Sequence, residues 1–143
     1  MGGLVRKIAT ATLIAGTLDI SAAIILTLSF GGQVPKMLRY VASGPFPGAK
    51  EWGAGGAALG LAVHFALMAI MATIFVLAAN RFGQLRSKWL LWGVVYGLIT
   101  YVAMNLIVVP LRFGTSPSTL SVATQLFCHI VLVGLPIAWV ARR

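Results

Sequence analysis

The stretch Trp89 to Pro110, WLLWGVVYGLITYVAMNLIVVP, carries no charged residue and is long enough to cross a bilayer as a single helix. Three further runs match its length: Ile8 to Phe30, Leu59 to Ala79 and Leu120 to Ala141. Four such runs consume most of a 143-residue chain and leave only short polar connections. This pattern predicts an all-α membrane protein, an antiparallel bundle of four transmembrane helices forming one membrane domain over residues 1–143. Composition agrees, since 59% of the residues are hydrophobic and 9% charged, whereas a soluble domain has roughly 25% charged.

Eleven Lys and Arg oppose two acids, a formal charge of +9. The bases sit at the ends of the apolar runs, where phospholipid headgroups meet them, and no basic patch with interleaved aromatics suggests nucleic acid as a partner. Cys128 stands alone in an apolar run, so neither a disulfide framework nor a paired thiol motif is present.

Arg6 and Lys7 precede the first run like the charged start of a signal peptide. That run is too long, however, and Asp19 sits in its middle, so an uncleaved first span is expected. Thr12, Ala15, Gly16, Asp19, Ala22 and Ala23 recur at helical spacing and form a small, polar face for the bundle interior. Gly31 to Ala58 is the longest connection, punctuated by Pro35, Pro45, Pro47 and several glycines. Within it PKMLRYVASG reads either as a short interfacial helix, with Met37, Leu38 and Val41 dipping down and Lys36 and Arg39 reaching headgroups, or as a surface loop. Gly56/Gly60 and Gly93/Gly97 have the spacing of closely packed helices. Trp52, Trp89, Trp92 and Trp139 are placed as interfacial anchors, with Tyr96 and Tyr101 following. Pro110 is expected to end the third span and Pro136 to bend the fourth, which SPST precedes as a capping segment.

The amino terminus, the Asn80 to Lys88 loop and the carboxyl terminus share one side and hold Arg6, Lys7, Arg81, Arg86, Lys88, Arg142 and Arg143. Lys36, Arg39, Lys50 and Arg112 fall on the other, diluted along the long loop, so both termini are expected in the cytoplasm. The phrases YGLITYVAMNLIVVPLRFG, LRYVASGPF and LGLAVHFAL resemble those of small four-span bacterial inner-membrane proteins with no assigned biochemical role. The resemblance implies a bacterial cytoplasmic membrane and supplies no mechanism.

The polar residues within the spans are the candidate site. With a rise of about 1.5 Å per residue, Asp19 and His129 lie near mid-membrane, and His64 and Asn105 about 7 to 8 Å below the outer ends of their runs. Tyr101 precedes Asn105 by one turn, and Gln125 precedes His129 by one turn, so Asp19, His64, Tyr101, Asn105, Gln125 and His129 form one expected polar network in the outer half. Asp19 reads as a proton relay or a counter-ion for His129, or as a neutral, hydrogen-bonding strut between helices. His64 and His129 read as axial ligands of a b-type haem or as core histidines satisfied by neighbours; a depth mismatch of about 6 Å disfavours haem, and no cofactor is expected. Met68 and Met71 follow His64 on nearly one face, which hints at a soft metal but is the usual spacing of packing residues, so no metal is assigned.

No nucleophile and base, paired carboxylates or phosphate-cradling loop can be assembled, so no catalytic residue is assigned and enzyme activity is not expected. Three functions remain: an accessory subunit packed against a larger membrane complex, or self-associated; a small oligomeric transporter or channel using Asp19 and His129; and a haem-binding electron carrier. The first is preferred for its small-residue faces and lack of an evident site.

Overall fold

The computed structural model describes residues 2–115 and 118–143. It is 88% helical, with no strand among the described residues. Six helices follow in order: α1 (Gly2–Ser29), α2 (Val34–Ala42), α3 (Gly53–Arg81), α4 (Gly83–Ser87), α5 (Trp89–Phe113) and α6 (Leu120–Ala141). Of these α1, α3, α5 and α6 are long and apolar enough to cross a membrane. The protein is a small multi-pass membrane protein built as an all-α four-helix arrangement.

Helices outrun the apolar stretches that announce them. The first begins at Gly2 rather than Ile8, and α3 at Gly53 rather than Leu59, because the backbone ladder continues past the long apolar side chains, through Arg6 and Lys7 in α1 and through glycine and alanine in α3. Pro110 does not end α5, which runs on to Phe113. A π-helical segment, Val102–Val108, comes just before it. Pro136 lies inside α6 in the same relation to a second one, Cys128–Gly134. Proline removes a donor and crowds the carbonyl one turn back, and a wider turn before it relieves that conflict. Of the expected SPST cap, Ser116 and Pro117 lie outside the described residues. Ser118 caps α6, its hydroxyl accepting the Ser121 N–H at 3.2 Å.

The last helix is the hub, packing against α1, α3 and α5, while α1 also packs on α3. An apolar core of Ala11 and Ala15, Met68, Ala72 and Phe75, and Val133, Ile137 and Ala138 joins α1, α3 and α6. Half of these residues are alanine, which lets the helix backbones approach closely between the larger side chains. Gly93 and Gly97 serve the α5–α6 crossing as their spacing predicts. A Cβ at Gly97 would lie 2.6 Å from the His129 carbonyl oxygen, and one at Gly93 would lie 3.1 Å from the Leu135 Cα. Gly56 and Gly60 face a different partner. A Cβ there would strike the Ala49 carbonyl and the Leu38 backbone, so this pair seats α2 and the turn after it rather than a spanning helix.

Thus the PKMLRYVASG segment is helical, and it is docked on α3. Arg112, near the end of α5, fixes it by donating from Nε to the Gly44 carbonyl at 2.7 Å and from a terminal nitrogen to that of Ser43 at 2.9 Å. Tyr40 stacks on Phe113 at 4.3 Å between ring centroids. At the opposite end Arg6, Lys7, Val140 and Arg143 line one cleft, and Lys7, Asn80, Arg86 and Ala141 another, so both termini and α4 share that end. Arg142 lies over Trp89 and Arg143 over Trp139, at 4.5 and 3.7 Å from the ring centroids, pairs suited to an interface.

Candidate functional site: two polar pairs in one half of the bundle

The small face of α1 turns inward as its spacing requires, with Thr12, Ala15 and Gly16 buried and Asp19, Ala22 and Ala23 half-buried. Gly16 leaves its carbonyl open to α3, and the Phe65 ring lies where a side chain would otherwise stand, 2.6 Å from a Cβ built there. The His64 ring, set edge-on to Phe65 at 5.3 Å, reaches through this gap and bonds the Gly16 carbonyl from Nε2 at 2.9 Å. A carbonyl only accepts, so Nε2 carries the proton. Nδ1 faces Asp19 Oδ2 at 3.9 Å, within ion-pairing range but too long for a hydrogen bond. Asp19 and His64 therefore form one pair, between α1 and α3.

His129 forms the other, between α6 and α5. Its Nδ1 lies 3.1 Å from Thr100 Oγ1 and its Nε2 3.1 Å from Asn105 Nδ2. Thr100 has one hydroxyl proton and gives it to the Gly97 carbonyl at 3.0 Å. The rest follows by elimination: the hydroxyl accepts from Nδ1–H, and Nε2 accepts from the Asn105 amide. This assignment is a neutral imidazole with both nitrogens engaged, and its chain of bonds ends on a carbonyl that cannot pass a proton on. The Tyr101 ring stands edge-on to His129 at 6.0 Å, and its buried hydroxyl has no hydrogen-bond partner among the described residues.

The half of the bundle toward α2 therefore holds two clusters rather than one network. Depth alone paired Asp19 with His129 and His64 with Asn105. Instead Asp19 meets His64, and Asn105 and Tyr101 meet His129, because α1 faces α3 in this region whereas α5 faces α6. Gln125 joins neither cluster and lines a groove between α1 and α6 nearer the α2 end. Met68 is in the apolar core, and Met71 accepts the Tyr96 hydroxyl on its backbone carbonyl at 2.7 Å.

Thr100 is the participant that sequence reasoning passed over. It stands five residues before Asn105, which puts the two on different faces of a regular α-helix. They converge on one imidazole because α5 widens between them into i→i+5 bonding. A hydroxyl inside an apolar run, ten residues before a proline, was the available signal.

No family model, curated protein or solved structure matches the chain.

Proposed function

We propose that this protein is an accessory subunit that packs against a larger membrane-protein assembly in the bacterial cytoplasmic membrane. The observation that carries this reading is a stripe of alanines. Ala54, Ala58, Ala62 and Ala66 recur every turn along α3 and are all exposed, while the opposite face of the helix buries Gly60, His64, Met68 and Ala72. Further along the same helix the outward positions are large, Ile70, Ile74 and Leu77. Lipid is best met by such large side chains, whereas alanine every turn gives little to acyl chains and lets another helix approach its backbone. The engaged state of His129 supports the same reading, since the ring is fully used in holding α5 to α6.

Tryptophan at Ala62 is expected to reduce partner retention in mild detergent by roughly five- to a hundredfold, the consequence of overpacking a close helix contact. The same change at Ile74 should leave retention near wild type. Co-purification followed by quantitative mass spectrometry reads both, and equal retention by the two variants would remove the argument for this face.

The proposal places both termini in the cytoplasm, because the end holding Arg6, Lys7, Arg81, Arg86, Lys88, Arg142 and Arg143 is the more basic. In a Cys128→Ala background, an impermeant thiol reagent added outside intact cells should label Lys50→Cys and spare Arg86→Cys. Labelling of Arg86→Cys alone would invert the topology.

A further inference from the structure

At the α2 end, between the last turn of α1, α2 and the turn Pro47–Glu51, lies an open cleft of about 670 Å³. Lys36, Arg39 and Lys50 line it, together with the single carboxylate Glu51. None of the three bases has a carboxylate within 4.0 Å among the described residues, where the one such contact is that of His64 with Asp19. Arg39 and Lys50 are placed by their neighbours. Arg39 is half-buried, its stem passing over Gly56, where an added Cβ would come within 3.2 Å of Cγ. Lys50 Nζ sits 5.6 Å from the centroids of both Tyr40 and Phe113, on an aromatic platform that holds it at the cleft edge. Arg112, by contrast, is spent on the carbonyls after α2.

A second groove, of about 460 Å³, adjoins the first and shares Thr27 and Gly32 with it. It runs between α1 and α6, with Leu26, Phe30 and Leu120 giving it apolar walls and Ser121, Thr124 and Gln125 giving it hydroxyl and amide groups. The two meet where Gly32 packs on Thr27, so closely that a Cβ at Gly32 would come within 2.9 Å of Cγ2. The apolar run of α1 ends here, which is the level of lipid phosphates.

We propose that the two grooves together bind one anionic phospholipid, its phosphate among Lys36, Arg39 and Lys50 and an acyl chain laid along Leu26, Phe30 and Leu120. Basic pockets at helix ends attract anionic headgroups through charge and charge-assisted hydrogen bonds, and guanidinium with ammonium suits a phosphate diester. A soluble phosphate would use the basic cleft and ignore the apolar groove. The continuity of the two favours the lipid.

The full chain, purified in mild detergent and exchanged into bilayer discs of phosphatidylcholine containing a minor share of phosphatidylglycerol, is assayed for retained lipid by native mass spectrometry. Wild type should hold phosphatidylglycerol in preference to phosphatidylcholine. Lys36→Ala with Lys50→Ala should lower that retention about 20- to 30-fold, near fivefold per lysine, while Lys36→Arg with Lys50→Arg keeps it. Ser121→Trp, which fills the apolar groove and touches no base, should weaken it as well. Thermal midpoints confirm that each variant is folded, and should the alanine pair unfold, unchanged retention in Ser121→Trp overturns the proposal instead. Unchanged retention in the alanine pair overturns the proposal. Displacement of the lipid by millimolar inorganic phosphate, with no effect of Ser121→Trp, overturns it in favour of a soluble anion.

Discussion

Replacing Gly97 by alanine is expected to destabilise the bundle by about 2–3 kcal/mol, the upper part of the overpacking range. In an ordinary helix the same change gains up to about 1 kcal/mol, because alanine is the better helix former. Here the added methyl would meet Ile130 Cα at 2.5 Å and the His129 carbonyl oxygen at 2.6 Å. Both are backbone atoms, so no rotamer change relieves the contact and α6 must move bodily away from α5. That movement also stretches the bond that His129 donates to Thr100 and the one it accepts from Asn105, which span the same crossing. Gly83 supplies the contrast, since nothing lies within 4 Å of a Cβ built there. Gly83→Ala should therefore match or exceed wild type in detergent thermostability followed by size-exclusion fluorescence, and Gly97→Ala should fall well below it. Equal midpoints for the two variants would show that α5 and α6 do not touch at the backbone.

The spans were legible in the chain for a simple reason. Hydrocarbon accepts only helices with satisfied backbones, so length and apolarity alone fix four of them. The inward face of α1 was legible too, because small residues at helical spacing around one carboxyl leave few other orientations. What could not be read was which helix each polar residue would meet. Depth is a one-dimensional coordinate, and it groups Asp19, His64, Asn105 and His129 in one half while leaving their partners open. The partners depend on the order of helices around the bundle, which is decided by glycine contacts far apart in sequence, such as Gly16 with Phe65 and Gly97 with Ile130. The Gly56/Gly60 spacing was likewise visible, but its partner is a short helix of the long loop, a possibility that the spacing itself does not favour. The widened turns before Pro110 and Pro136 change the register by a residue and moved Thr100 into contact with His129.

The second large effect is expected at His129, and a pair of substitutions separates what the ring contributes from what its loss exposes. His129→Leu is close to the ring in size, yet removes the acceptor of the Asn105 amide and the donor to Thr100. Thr100 keeps its own bond to the Gly97 carbonyl and loses little. Asn105 is left with an unmet amide beside an apolar side chain, a cost of about 1–3 kcal/mol for a desolvated polar group. Asn105→Leu is the milder single change, because His129 retains its bond to Thr100 and loses only an acceptor interaction. When both are leucine no polar group is stranded, so the double variant should be more stable than His129→Leu alone. The coupling should be of the order found for hydrogen bonds between membrane helices, about 0.6 kcal/mol and at most about 1.7 kcal/mol. Thermal midpoints of the four proteins in one detergent, converted through a double-mutant cycle, measure it. A ring that instead carried protons or held a ligand would show no such rescue in function: transport or spectroscopic activity lost in His129→Leu would stay lost in the double variant, however stable it became. Recovery of assembly and partner retention with Asn105→Leu marks His129 as the bond that holds α5 to α6.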